Sequence, residues 1–175
     1  FEKWARMLTN TRNPQGWGRY FPPGRRMLAA LAGGAYQPGA YGWIAHWGTG
    51  PQADRETYAD FLEEAALLLD RPALREPAAR FRESAELWEA LAEALLPAEL
   101  PLLGEARRLK DRRERLFIEQ GGAAVDEIRE INARLEALPE LAERDFPLSE
   151  AEAAGFRVEL QERVQAVLEA ERRAV

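Results

Sequence analysis

The residues best suited to chemistry lie together in the stretch HWGTGPQADRETYADFLEEA, residues 46–65. His46, the only histidine of the chain, can exchange a proton near neutral pH. Gly48-Thr49-Gly50 could bind an anion, because glycines let backbone N–H groups approach a ligand at the start of the following helix. Arg55 and Tyr58 are about one helical turn apart and can share a face. The sequence therefore predicts five ligand-binding residues and no catalytic residue: His46, Thr49, Arg55, Tyr58 and Glu64.

The same stretch also has a purely structural interpretation, which we favour. Its glycines match neither G-x-x-x-x-G-K-[ST] nor G-x-G-x-x-G, and glycine most often serves backbone geometry. They then form a turn between two helices, and Pro51 takes the first position of the second helix. His46 is in that case half-buried and Tyr58 belongs to the core. A Ser-His-Asp arrangement is not recognisable, since neither Ser84 nor Ser149 lies in a nucleophile elbow.

The composition excludes most metal and thiol chemistry. The 175 residues contain no cysteine and one histidine, so a thiolate nucleophile, a disulfide, a zinc–thiolate site and a two-histidine metal site are all impossible within them. Glu63-Glu64 could suggest a carboxylate-metal bundle, but such bundles use Glu-x-x-His on two helices. We therefore expect no metal and no cofactor.

The charge distribution bears on partners and on location. The chain has a formal net charge of −6, which argues against nucleic acid as the main partner, because that binding depends on neutralising phosphates. Residues 1–50 are nevertheless basic, with six basic side chains against one acid. No apolar run approaches the ~20 residues that a membrane span needs. We expect no membrane partner and, with no cysteine to oxidise, a cytoplasmic location.

The segment RRLKDRRERL, residues 107–116, is the densest run of positive charge. It could bind an acidic partner. The favoured alternative is a solvated helix face on which Asp111 and Glu114 pair with the arginines. Arg112 or Arg113 falls on the apolar stripe between Leu109 and Leu116, so that side chain must reach solvent or find a partner.

The elements that must position these residues are helices. After residue 50 the apolar residues recur every three to four positions, which predicts helices over about 51–70, 73–96, 102–119 and 123–137. A fifth helix follows Ser149, which can form a capping box with Glu152. No alternating apolar run predicts a strand. The predicted fold is all-α: an antiparallel bundle of about five longer helices, with an irregular, aromatic- and glycine-rich region at 1–50 packed on the bundle at 51–175.

The first helix of the bundle has an apolar face at regular spacing. The pattern predicts that one side of this helix packs on the core through Tyr58, Phe61, Leu62, Ala65, Ala66 and Leu69. At the other end of the sequence the chain begins at Phe1, and FEKWARML already has helical spacing. We expect the 175 residues to form a single domain that is the C-terminal part of a longer, two-domain protein.

Four segments together resemble a known family. KWARMLTNTRNPQGW (3–17), IAHWGTG (44–50), RETYADFLEEAALLL (55–69) and FRESAELWEALAEALLP (81–97) are similar to the C-terminal domain of unknown function in butirosin biosynthesis protein H-like proteins. The resemblance implies an N-terminal domain that looks like a papain-type cysteine acyltransferase or peptidase. It also implies an acyl carrier protein or a small amine as a further partner.

The resemblance leads to one expectation about function and leaves two alternatives. The chain is expected to be a helical accessory domain that shapes a substrate or acyl-carrier site for the cysteine acyltransferase-like domain and does not turn over by itself. It could instead be a self-sufficient module that binds a small ligand or a protein between its aromatic N-terminal region and residues 46–65. The third possibility is a hydrolase that uses His46 and a carboxylate.

Overall fold

The computed structural model describes residues 22–46 and 51–174. This part of the chain contains helices, turns and three short 3-10 segments, at Pro51–Asp54, Pro72–Leu74 and Gly121–Ala124, and no strand. The α-helices are α1 Arg25–Leu31, α2 Gly39–Ala45, α3 Arg55–Leu68, α4 Arg75–Leu95, α5 Pro101–Gln120, α6 Val125–Arg144 and α7 Glu150–Ala174. The predicted all-α fold with about five longer helices is confirmed.

Helix α4 lies at the centre of the packing. It contacts α3 on one side and α7 on another, and it also touches α2 and the Pro51–Asp54 turn. Helices α5 and α6 pack on each other, and α1 packs on α6. The main core gathers apolar side chains from α1, α2 and α4 to α7, among them Met27, Leu31, Leu95, Leu116, Leu138 and Leu160. A smaller second core joins α3 to α4 through Ala59, Leu62 and Ala78.

The helices differ in two ways from those that the sequence predicts. Two short helices, α1 and α2, lie within the region that the composition marks as irregular. The fourth predicted helix does not end near residue 137 but continues through Pro139 to Arg144. A proline inside a helix costs roughly 3 kcal/mol. Leu135, Leu138 and Ala142 are buried on either side of Pro139, and their packing offsets that cost.

The apolar face predicted for α3 divides into two parts. Leu62 and Ala66 are buried, but Tyr58, Phe61 and Leu69 are 45%, 57% and 62% exposed. The prediction of one core-facing side is therefore wrong for these three residues. The reason is that α3 lies at the edge of the molecule: among the described elements its extensive contacts are with α4 and the two flanking 3-10 turns.

The start of α7 is the predicted capping box. The hydroxyl Oγ of Ser149 accepts a hydrogen bond from the backbone N–H of Glu152 at 3.3 Å. In return, the backbone N–H of Ser149 donates to Glu152 Oε2 at 2.8 Å. The prediction is confirmed, and each residue satisfies one N–H group that has no partner inside the helix.

Within residues 22–46 and 51–174 no helix is long and apolar enough to cross a bilayer.

Candidate functional site

His46 ends α2 and faces the middle of α5. Its Nε2 lies 3.0 Å from Asp111 Oδ1. The hydroxyl of Tyr41, also on α2, donates to the same oxygen at 2.6 Å, and the Tyr41 ring stands edge-on to the imidazole with 5.5 Å between ring centroids. An ionised carboxylate can only accept hydrogen bonds, so Nε2 of His46 carries the hydrogen of this bond. One carboxylate of α5 therefore fixes both polar side chains of α2.

The electrostatics of this cluster keep Asp111 ionised. Burial alone would raise the pKa of Asp111, but the hydrogen bonds from His46 and Tyr41 and the nearby charge of Arg107 lower it by more, so the pKa lies below its usual value. Burial, and then the contact with Asp111, raise the pKa of Tyr41 well above its ordinary value. Arg107 Nε lies 3.9 Å from Asp111 Oδ2. At neutral pH the cluster is thus a carboxylate bound by a neutral phenol and an imidazole N–H.

Two other cations of α5 hold the connection between α1 and α2. Lys110 is 1% exposed, and its Nζ donates to the backbone carbonyls of Gly34 and Gln37, each at 3.2 Å. Arg113 donates to the carbonyl of Ala35 and, at 3.2 Å, to Asn132 Oδ1. The prediction of a solvated face with acidic partners is therefore wrong for Lys110 and Arg113. Their partners are carbonyl oxygens of a turn, which no charge pattern in the sequence reveals.

The turn can present its carbonyls because it is very tight. Gly33 and Gly39 have φ values of +72° and +64°, in the region that favours glycine. A Cβ on Gly33 would lie 2.1 Å from the carbonyl oxygen of Gln37, and a Cβ on Gly39 would lie 2.3 Å from the backbone nitrogen of Gly33. The two glycines therefore let the chain close on itself, and the carbonyls of Gly34, Ala35 and Gln37 point at α5.

Lys110 is a buried cation with no carboxylate partner among residues 22–46 and 51–174. Burial, and then the positive charge of Arg113, lower the pKa of Lys110 to about 8. Burial also lowers the pKa of Arg113. Lys110 and Arg113 hold the α1–α2 turn in place although burying their charges is unfavourable. Their role is therefore structural, and neither is a free group for binding a ligand.

A second polar cluster lies at the start of α3. Arg55 Nε donates to Glu171 Oε1 at 2.6 Å, and Arg55 Nη1 donates to the carbonyl of Ala53 at 2.8 Å. The same carboxylate oxygen accepts a hydrogen bond from Ser84 Oγ at 2.5 Å and another from Trp88 Nε1 at 3.0 Å. The last turn of α7 therefore meets the first turn of α3 and the middle of α4 at one oxygen atom.

The four predicted site residues that the structure describes do not converge on one pocket. Thr49 lies outside the described residues. His46 binds α5 through Asp111, whereas Arg55 binds α7 through Glu171. Tyr58 packs edge-on against Phe81, with 4.7 Å between ring centroids, and Glu64 is exposed on α3. Arg55 and Tyr58, expected to share a face, have different partners: a carboxylate on α7 and an aromatic ring on α4.

Cavities and acidic clusters offer no alternative centre in the described part of the chain. No group of three or more histidine, aspartate or glutamate side chains there could hold a metal ion. A shallow groove of about 300 Å³ lies between α4 and α7, lined by Leu87, Ala90, Glu159, Glu162, Arg163 and Ala166. It is remote in sequence from His46 and Arg55, and ion-paired side chains line its α7 side. The candidate site therefore consists of the two polar clusters around His46 and Arg55.

Comparison with known proteins adds a family. Residues 33–144 match Domain of unknown function (DUF4872). The chain belongs to the DUF4872 family. Neither a search of curated proteins nor a search of solved structures found a match. The DUF4872 match begins after α1 and ends at the last residue of α6, so it includes His46, Arg55 and Asp111 but not α7.

Several polar residues that build the two clusters are not apparent from the sequence. Tyr41 lies five residues before His46, Asp111 lies 65 residues after it, and Glu171 lies 116 residues after Arg55. Each looks like an ordinary residue of an amphipathic helix. The sequence offered one signal, which is that Asp111 is one of two acids, with Glu114, inside a basic run.

Proposed function

We propose that the chain is a helical accessory domain that shapes a substrate or acyl-carrier site for a papain-like acyltransferase- or peptidase-like domain in the same protein. The uncovered apolar face of α3 carries this proposal. The similarity of residues 3–17, 44–50, 55–69 and 81–97 to the C-terminal domain of butirosin biosynthesis protein H-like proteins suggests which domain would cover that face.

The uncovered face of α3 consists of Tyr58, Phe61, Leu68 and Leu69, which are between 45% and 76% exposed. Tyr58, Phe61 and Leu68 follow helical spacing, and ten residues of helix extend about 15 Å. Contiguous apolar surface of this extent typically marks a protein interface. The exposed acid Glu64 borders the face. A partner surface with an apolar centre and a neutral or basic rim would fit it.

The polar clusters support a shaping role more than a catalytic one. His46 and Arg55 are each bound to a carboxylate on another helix, so the segment between them begins and ends at fixed points. The chain has no cysteine, so a thiolate nucleophile would have to come from another domain. Side chains fixed in this way beside that domain could orient an acyl donor or an amine acceptor, which is how positioning contributes to rate.

The test uses the protein that contains both domains, with acyl transfer from a carrier thioester to an amine as the assay. We expect no turnover from the 175 residues alone and turnover from the two-domain protein. Phe61→Glu and Leu68→Glu should lower kcat/KM about tenfold or more, because a charge on a buried interface disrupts docking. Val158→Glu is the matched control, since Val158 is 55% exposed on α7, away from α3. Full activity of the α3 variants, or turnover by the isolated chain, would count against the proposal.

A second candidate function has one specific observation in its favour. The His46–Asp111 pair resembles the arrangement in which a carboxylate orients a histidine for proton transfer. Ser84 does not complete it, since its hydroxyl donates to Glu171. A saturable esterase activity of the isolated chain, lost in His46→Ala, would favour this hydrolase function over the accessory role.

A further inference from the structure

The turn that leads into α3 has an unusual backbone. Ala53 and Asp54 have φ values of +53° and +58°. Residues with a Cβ pay roughly 1–2 kcal/mol each for this left-handed conformation, and alanine has no side-chain hydrogen bond to compensate. Ala53 is also buried, at 3% exposure. Some interaction outside the turn must therefore hold this conformation.

Arg55 supplies that interaction from the residue that follows the turn. Its Nη1 donates to the carbonyl of Ala53 at 2.8 Å, and its Nε donates to Glu171 Oε1 at 2.6 Å. One guanidinium group thus joins the left-handed turn to the last turn of α7. Because the guanidinium is planar and rigid, fixing Nε on the carboxylate also fixes the direction in which Nη1 points.

Glu171 is itself held in place by α4. Its Oε1 accepts from Ser84, which is fully buried, and from Trp88. The Arg55 and Glu171 side chains are 25% and 13% exposed, so their ion pair is better shielded from water than a surface pair and is stronger. Burial alone would raise the pKa of Glu171, but the three donors lower it by more. The carboxylate therefore remains ionised at neutral pH.

We propose that Glu171 is a latch that holds the strained turn at residues 53–55, so that the C-terminal helix α7 controls the geometry with which the chain enters α3. The turn keeps its left-handed conformation only while the Arg55 guanidinium is bound to Glu171. If a partner moves the end of α7, the left-handed conformation at residues 53 and 54 loses its support. The backbone at Arg55 is then no longer fixed. The inference does not depend on the proposed accessory function.

The test is amide hydrogen exchange on the whole chain, comparing wild type with Glu171→Gln. The amides of residues 53–58 should exchange about tenfold faster or more in the variant, because the ion pair is replaced by a weaker hydrogen bond from the guanidinium to a neutral amide. The amides around Leu135, in the middle of α6, are the internal reference and should keep their rates within about twofold, which separates local release from global unfolding. The matched control is Glu169→Gln, because Glu169 is exposed on the same helix and accepts a hydrogen bond from Gln165 of that helix.

A second variant separates the latch from simple packing of α7. Glycine adopts positive φ without a steric penalty, so Ala53→Gly should let the turn keep its conformation without the latch. In the Ala53→Gly background the Glu171→Gln substitution should accelerate exchange at 53–58 by less than about threefold. Equal acceleration with and without Ala53→Gly would overturn the latch, as would unchanged exchange in Glu171→Gln alone. Ala53→Gly and the double variant both lack the Ala53 methyl group, so its loss does not contribute to the difference in exchange between them.

Discussion

The buried cation Lys110 predicts a specific dependence of stability on pH. Its pKa is lowered to about 8 in the folded chain from an ordinary value of 10.5. Between these two pH values the unfolded chain holds a proton that the folded chain has released, so the free energy of unfolding rises with pH. Below about pH 8 the full cost of the buried charge is present, and above about pH 10.5 it has disappeared.

The size of the effect follows from these two pKa values. One pKa unit corresponds to about 1.4 kcal/mol, so the contribution of Lys110 to the free energy of unfolding should rise by about 2 kcal/mol between pH 7 and pH 9.5. The variant Lys110→Met keeps the aliphatic chain and removes the charge. The difference in stability between wild type and Lys110→Met should therefore shift by about 2 kcal/mol in favour of wild type over that range.

The assay is urea unfolding of the whole chain followed by tryptophan fluorescence, at several pH values between about 7 and 9.5. Arg108→Met is the matched control, because it removes an exposed positive charge from the same helix. The stability difference between wild type and Arg108→Met should be independent of pH. If the difference for Lys110→Met is also constant, the carbonyl groups of Gly34 and Gln37 compensate fully for burial and the reasoning is refuted.

Three further predictions concern the turns and caps around the site. Gly39→Ala should lower the free energy of unfolding by more than about 2 kcal/mol in thermal or urea unfolding, because its Cβ would meet backbone atoms and its φ is positive. Gly34→Ala has open space around the Cβ and should change the free energy of unfolding by less than about 1 kcal/mol. Asp111→Asn should lower the free energy of unfolding by about 1–3 kcal/mol at pH 7. Since the pKa of Asp111 is lowered on folding, the advantage of wild type should be lost as the pH falls below about 4. A difference in stability that persists at lower pH would contradict the assignment of an ionised carboxylate. Ser149→Ala should cost about 1 kcal/mol by removing one half of the capping box, with Ser84→Ala costing more because it leaves a buried acceptor short of a donor.

The helices of the bundle were predictable from the sequence because their signals are local. The 3–4 residue period, the proline at the start of α5 and the Ser149–Glu152 pair each act within one or two turns of helix. The local rule failed at Pro139. There the buried residues before and after the proline contribute more than the proline costs, and burial depends on neighbours from other helices.

The candidate site was predictable only in outline. His46 and Arg55 stand out as the histidine and the arginine beside a glycine-rich turn, and both proved to be tied into buried polar clusters. Their partners, Asp111 and Glu171, are far away in sequence and resemble any acid on a helix surface. Tyr58 also lies on a regular apolar stripe, and periodicity cannot distinguish an edge helix from a central one.

Periodicity and composition were enough to specify the helical class, most of the helix positions and the exclusion of cysteine-based chemistry within these residues. The tertiary structure alone decided which charges are buried and which are solvated. It placed Lys110 and Arg113 against a carbonyl-rich turn while leaving Arg108 and Arg112 exposed on the same helix. The physical reason is that periodicity specifies only the direction of a side chain around its own helix, whereas the partner on that side comes from a distant segment of the chain.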